Sequence, residues 1–156
     1  MSDEQNQQQF AIQRLYLKDV SFESPNAPEV FKDGQWQPEI NVQLNTETKT
    51  IAENMYEVAL TVTVTAKQEE KTAFLVEVKQ AGLFQMSGFA EEQMGGMLGA
   101  FCPETLFPFI RETVADLVSK GGFPQLMLAP VNFNMLYMQH QQQQQAQGEQ
   151  STETAH

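Results

Sequence analysis

Between Tyr56 and Gln80 the chain leaves little choice of local fold. Tyr56, Val58, Leu60, Val62 and Val64 alternate with Glu57, Ala59, Thr61, Thr63 and Thr65. A period of two carried by β-branched residues is the pattern of a strand with one buried face. The charged turn KQEEK (67–71) follows. Residues 72–80 then alternate again, with Phe74, Val76 and Val78 on one face and Leu75, Glu77 and Lys79 on the other. Two such runs joined by a short polar link predict an antiparallel hairpin. A lone hairpin is marginal in water, so the rest of the chain has to supply more strands and a covering layer.

More strands lie upstream. Ile40, Val42 and Leu44 alternate with Asn41, Gln43 and Asn45. Residues 10–23, FAIQRLYLKDVSFE, read as a long strand whose apolar parity changes: Phe10 and Ile12, then Leu15 and Leu17, then Val20 and Phe22. A bulge or kink inside the strand accounts for such a change. Residues 24–38 carry Pro25, Pro28, Gly34 and Pro38 and read as a long connection, with Trp36 placed to pin it to the core.

After Gly82 the period lengthens. Met94, Met97 and Leu98 have weak helical spacing, loosened by Gly95, Gly96 and Gly99. Pro103 and Glu104 suit the first turn of a helix. Leu106, Phe107, Ile110, Val114, Leu117 and Val118 make its apolar stripe, and Lys120-Gly121-Gly122 its end. Residues 123–131 are extended by their prolines. Asn132 caps a second helix running through Met135, Leu136 and Met138 into the glutamines. Strands first and helices after give an α+β fold, a four-stranded antiparallel sheet followed by helices. It occupies residues 10–142 as one domain. Polar tails at 1–9 and 143–156 are expected to be disordered. Helices on one side leave the other face of the sheet bare, which predicts a homo-oligomer.

Twenty acids against nine bases give a net charge of −11. That disfavours nucleic acid and anionic lipid as partners and favours basic proteins. The amino-terminal residues lack a basic start and an apolar run, and no window is apolar for long enough to span a bilayer. The single cysteine, Cys102, leaves no internal disulfide and fits a reducing cytoplasm.

Enzyme signatures are scarce. There is no phosphate-binding loop, and His140 and His156 with one cysteine assemble no metal cluster. Two readings of Cys102 stay open, a nucleophile served by His140 or a buried inert thiol, and its apolar neighbours favour the second. Glu69-Glu70 and Glu91-Glu92 read as solvated turn or helix faces. Asp19 and Glu23 share a strand face, as Glu77 does with Leu75 and Lys79. These are a solvated surface or a patch for a basic partner. The stretch 84–109, FQMSGFAEEQMGGMLGAFCPETLFPF, is either core or a soft, adaptable binding surface with glycines that keep it mobile.

KDVSFESPNAP (18–28), WQPE (36–39), FCPETLFPF (101–109) and above all GFPQLMLAPVNF (122–133) resemble the SecB protein-export chaperones of proteobacteria, in the same order along nearly the whole chain. The resemblance implies a tetramer, a dimer of dimers with helices sandwiched between sheets. It implies ATP-independent holding of unfolded precursors and their delivery to the motor ATPase SecA. Asp19, Glu23, Leu75 and Glu77 match the family's SecA-binding surface, and Val76, Val78 and Gln80 its association surface. Trp36, Phe84, Met86, Met94, Leu98, Leu126 and Met135 are expected near the client grooves. No cofactor is implied, and any zinc belongs to the basic tail of SecA. EEQMGGMLG (91–99) departs most from the family pattern. The alternative is an acidic adaptor, or a SecB-like chaperone dedicated to one fixed partner such as an antitoxin.

Overall fold

The strands pair as expected, but they run longer than their apolar cores. In the computed structural model, which describes residues 7–32 and 34–153 (side chains as far as 148), β1 is Gln9–Glu23, β2 Glu39–Ala52, β3 Met55–Gln68 and β4 Lys71–Ser87. All neighbours are antiparallel, in the order β1-β4-β3-β2. The β3–β4 hairpin closes on Glu69 and Glu70, both left-handed at φ 50° and 68°, as a two-residue type I′ turn requires.

The parity changes in β1 are two bulges, at Ile12/Arg14 and at Leu17/Asp19. Each inserts one residue and so turns the following side chains back to the face they would have left. As a result Phe10, Ile12, Leu15, Leu17, Val20 and Phe22 pair with Met86, Phe84, Gly82, Gln80, Val78 and Val76. All six apolar residues therefore look to one side, the side of the helices.

That side carries a helical layer: α1 (Glu91–Gly96), one π-helical turn (Met97–Phe101), α2 (Cys102–Lys120) and α3 (Phe133–Glu153). Pro103 and Glu104 stand in the first turn of α2, as the sequence suggested, but that helix continues the π turn without a break. The backbone is already helical through Gly96 and Phe101, and the Cys102 N–H donates to the Met97 carbonyl five residues back. The widened turn carries the chain past a proline that would interrupt a regular helix. Leu106, Phe107, Ile110, Val114 and Val118 of α2 are buried with Val58, Leu60, Val62 and Val64 of β3 and Phe74, Val76, Val78 and Phe84 of β4 in one core.

Because β1 and β2 lie at opposite edges, the 24–38 connection has to pass the end of the whole sheet. It is fastened on the way. Ser24 Oγ donates to the Ala73 carbonyl at 2.9 Å and Asn26 Nδ2 to the Thr72 carbonyl at 2.8 Å. The buried Gln68 amide donates to the Gln35 carbonyl at 2.6 Å and accepts from the Gln37 N–H at 3.1 Å. Trp36 then stacks on Phe74, with centroids 6.4 Å apart, and lies 5.2 Å from Phe123.

Asn132 caps α3, its Oδ1 accepting from the Met135 N–H at 3.1 Å. The helix runs on through the glutamine stretch, where residues 138–148 are all exposed. Near its start, Tyr137 lies against Gly95 and Gly99, one turn apart on α1 and the π turn. A Cβ at Gly99 would collide with the Tyr137 ring and one at Gly95 with its hydroxyl, whereas one at Gly96 would meet nothing within 4 Å. These two glycines are a seat for an aromatic ring rather than a source of mobility. Gly96→Ala should raise stability by about 0.5–1 kcal/mol, the usual helical gain. Gly99→Ala should lower it by about 1–3 kcal/mol through overpacking. Urea unfolding of the two variants separates these effects, and equal shifts would dismiss the seat.

Candidate functional site

One face of the sheet is covered and the other is bare. The bare face presents Leu75, Glu77, Lys79, Ala81, Leu83 and Gln85 of β4. Beside them lie Glu23, Ser21 and Asp19 of β1 and Thr65, Thr63, Thr61, Ala59 and Glu57 of β3. It is a polar face. Its larger apolar side chains, Leu75 and Leu83, are only half exposed, and Ala59 and Ala81 are buried between neighbours.

The exposed apolar surface lies elsewhere, on the helix side of the edge strands. Ile12, Leu17 and Val20 of β1 are 45%, 48% and 41% exposed, and Val42 of β2 is 40% exposed. Widths explain this. A helix is about 10 Å across and four strands span roughly 19 Å, so α2 covers β3 and β4 and leaves rims. Two grooves follow. One, of about 820 Å³, lies between β1 and α2, where Leu17, Val20, Pro108 and Met127 stand beside the polar Arg111, Glu112 and Asp116. The other, of about 530 Å³, lies between β2 and α3, with Val42, Leu44, Thr46, Phe133, Leu136 and Tyr137.

The four residues matched to a SecA surface come together on the bare face. Glu23 pairs with Leu75, Ser21 with Glu77 and Asp19 with Lys79, so three acids and a leucine occupy one corner of β1 and β4. Asp19, Glu23 and Glu77 are exposed, and no described residue pairs with or hydrogen-bonds to their side chains. Lys79 reaches away across β3, its Nζ 3.4 Å from Glu47 Oε2.

The positions matched to association and to clients are distributed differently. Val76, Val78 and Gln80 are 0%, 0% and 6% exposed beneath the chain's own helical layer. Phe84 and Met86 are likewise core, at 0% and 1%. Met94, Leu98, Leu126 and Trp36 are partly buried against that core, and Met135 is exposed. Trp36 sits at the Phe74 end of β4. Phe84 is ten residues further on, about 33 Å at 3.3 Å per residue, so these positions form no single pocket. Alternation tells which face a residue occupies, but not how far the covering helix extends.

Sequence reading missed a second polar cluster on the bare face. Glu57 accepts a hydrogen bond from the Tyr16 hydroxyl, and Lys18 Nζ lies 2.9 and 3.1 Å from its two oxygens. Burial, and then the bond to Glu57, push the Tyr16 phenol up to about 12. The Tyr16 hydroxyl, and then Lys18, hold the Glu57 carboxyl below its ordinary value. The only signal available in the sequence was the parity change at Leu17, which brings Lys18 to this face.

Cys102 is fully buried, and burial pushes its thiol up to about 12. His140 is exposed on α3, 3.0 Å from Gln144. The thiol is therefore the inert one of the two readings. Among the described residues no group of His, Cys, Asp and Glu could hold a metal ion, and no helix is long and apolar enough to cross a membrane.

Comparison with known proteins places this architecture. Residues 3–144 match the family model for SecB, the preprotein translocase subunit. The chain belongs to the SecB family. The protein-export protein SecB of Nitrosococcus oceani is 58% identical over 148 residues, covering 94% of this chain and 90% of that one. The SecB of Marinobacter nauticus is 52% identical over 157 residues, covering 99% and 94%. Among solved structures, a SecB-like chaperone of Mycobacterium tuberculosis, in complex with a ChAD peptide from the HigA1 antitoxin, superposes with a TM-score of 0.63. It covers 78% of this chain and 87% of that one, at 17% identity, a likeness of fold. SecB is a family of export chaperones and not of enzymes.

The Tyr16–Glu57 pair gives a pH dependence. A carboxylate depressed by folding adds stability above its unfolded value, near 4.5, that is lost as pH falls through the folded value. A raised phenol adds stability below its unfolded value of 10 that is lost as pH rises through about 12. The stability margin of the wild type over Glu57→Gln should thus hold at neutral pH and shrink in acid below 4.5. The labelled-tyrosine NMR signal of Tyr16 should titrate near 12, and lower in Glu57→Gln, though still above 10 because burial is the larger cause.

Proposed function

We propose that this chain is a cytoplasmic, ATP-independent holding chaperone that keeps unfolded precursors export-competent and passes them to SecA. The observation that carries the reading is the division of its surface: unpaired acids on a bare sheet face, apolar grooves along the rims of the covered one. An unfolded client exposes apolar side chains and unpaired backbone. A long apolar rim holds it by many weak, adaptable contacts, and affinity comes from their number. Fast-folding proteins bury the same groups before capture, so selection is kinetic. The acidic corner of Asp19, Glu23, Leu75 and Glu77 receives the basic tail of SecA by charge complementarity. Dedication to a single antitoxin-like partner is the weaker reading. The relatives at 52–58% identity carry the export name, and the antitoxin complex resembles this chain at 17% identity.

The working form is a tetramer, a dimer of dimers. Ile12, Leu17 and Val20 on β1, with Phe101 and Phe109 at 44% and 42% exposure on the helices, supply the apolar area that such an assembly would cover, which leaves the β2–α3 groove as the rim that holds the client. Association through these rims, rather than through the buried Val76 and Val78, fits the accessible surface. Leu17→Glu should shift the protein to smaller species in light scattering, with its circular dichroism unchanged.

Refolding of a slow-folding precursor diluted from denaturant, without ATP, tests the function. Stoichiometric protein should arrest it, and an unchanged time course would sink the holding role. Charge reversal of Asp19 and Glu77 together should abolish SecA binding while leaving that arrest intact. Binding of the wild type should weaken steeply as salt shortens the screening length.

A further inference from the structure

Two lysines stand beside the acidic corner and neither touches it. Lys18 precedes Asp19, and in a regular strand the two would face opposite sides of the sheet. The bulge at Leu17/Asp19 puts both on the bare face. Opposite charges so placed would ordinarily meet, and Asp19 would be neutralised. Instead Lys18 is turned toward β3 and held at 2.9 and 3.1 Å by both oxygens of Glu57. Glu57 is fixed in turn. Its side chain is only 14% exposed, it takes the Tyr16 hydroxyl, and Lys49 is its cross-strand neighbour in β2. A charge-assisted bond from a half-buried phenol gives it one orientation. Lys79, opposite Asp19, is likewise drawn to Glu47, but at 3.4 Å and with Glu47 62% exposed, a looser tie.

We propose that Glu57 is a positioning residue for the partner surface: with Tyr16 it sequesters Lys18 and so leaves the Asp19–Glu23–Glu77 corner open to a basic segment. This rests on the reading that such a segment of SecA docks at that corner. Glu57 is too covered to be a main contact itself. Its removal releases Lys18 beside Asp19, its chain neighbour at the bulge, and the corner loses one of its three free charges.

A double-mutant cycle tests this with the full chain and the zinc-loaded basic tail peptide of SecA as the probe, at low salt. Glu57→Gln retains a hydrogen-bond acceptor for Tyr16 and removes only the charge. It should weaken binding about three- to fivefold, the range expected for one exposed ion pair gained at the site's expense. Lys18→Gln alone should change the Kd by less than about 1.5-fold, because that charge is already committed. Lys18→Gln added to Glu57→Gln should restore affinity to within about twofold of the wild type, a rescue that a misfolded face would not give. If Lys18→Gln tightens binding by the same factor in both backgrounds, the charges simply add and the proposal is overturned. Failure of Lys18→Gln to rescue overturns it as well. Asp19→Asn is the control for the docking itself. If it leaves the Kd unchanged, the corner is not the docking site, and the positioning role falls with it for that separate reason.

Discussion

The packing of α2 across β3 and β4 is the interaction on which the rest of the molecule depends. Leu106, Ile110, Val114 and Val118 share a core with Val58, Leu60, Val62, Val64, Val76 and Val78, and every one of these side chains is fully buried. Removing each aliphatic side chain from water contributes on the order of 1.5–3 kcal/mol, so this seam outweighs any polar contact in the molecule. A single helix covering the middle of a four-stranded sheet also dictates what stays open. The edge strands keep apolar rims, and the far face keeps no apolar cover at all.

The two surfaces left by that geometry are chemically different because the strands alternate. The same β4 that offers Val76 and Val78 to the helix offers Leu75, Glu77 and Lys79 to solvent. Bulges in β1 serve both sides. They hold six apolar residues on the covered face through two changes of parity, and at the second they bring Lys18 to the bare face next to Asp19. Apolar and charged surfaces are thereby kept on opposite sides of one sheet, and a ligand for one does not compete for the contacts of the other.

The Phe-, Met- and Gly-rich stretch proves to be several things at once. Phe84, Met86 and Phe107 are core, while Phe101 and Phe109 are more than 40% exposed. Phe101 lies edge-on to Phe10 at 5.2 Å, so even an exposed ring has a fixed neighbour. Gly95 and Gly99 accept the Tyr137 ring and thereby set where α3 begins its course beside β2. The glycines of this segment thus shape the β2–α3 groove.

Local pattern by itself determined the strands, their antiparallel pairing, the irregularity of β1, the stripe of α2, the Asn132 cap and the common face of Asp19 and Glu23, because a period of two or of 3.6 is written in neighbouring residues. The chain-long match of motifs also determined the family. What tertiary structure decided was every property that depends on the extent of cover. It buried Val76, Val78, Phe84 and Met86 within the chain's own core, placed the exposed apolar rim at Leu17 and Val20, and carried the backbone helically past Pro103. It also joined Tyr16 and Lys18 to Glu57, 41 and 39 residues further along the sequence. Such contacts arise from how wide a helix is relative to a sheet and from which edge a strand occupies, and no run of neighbouring residues records either.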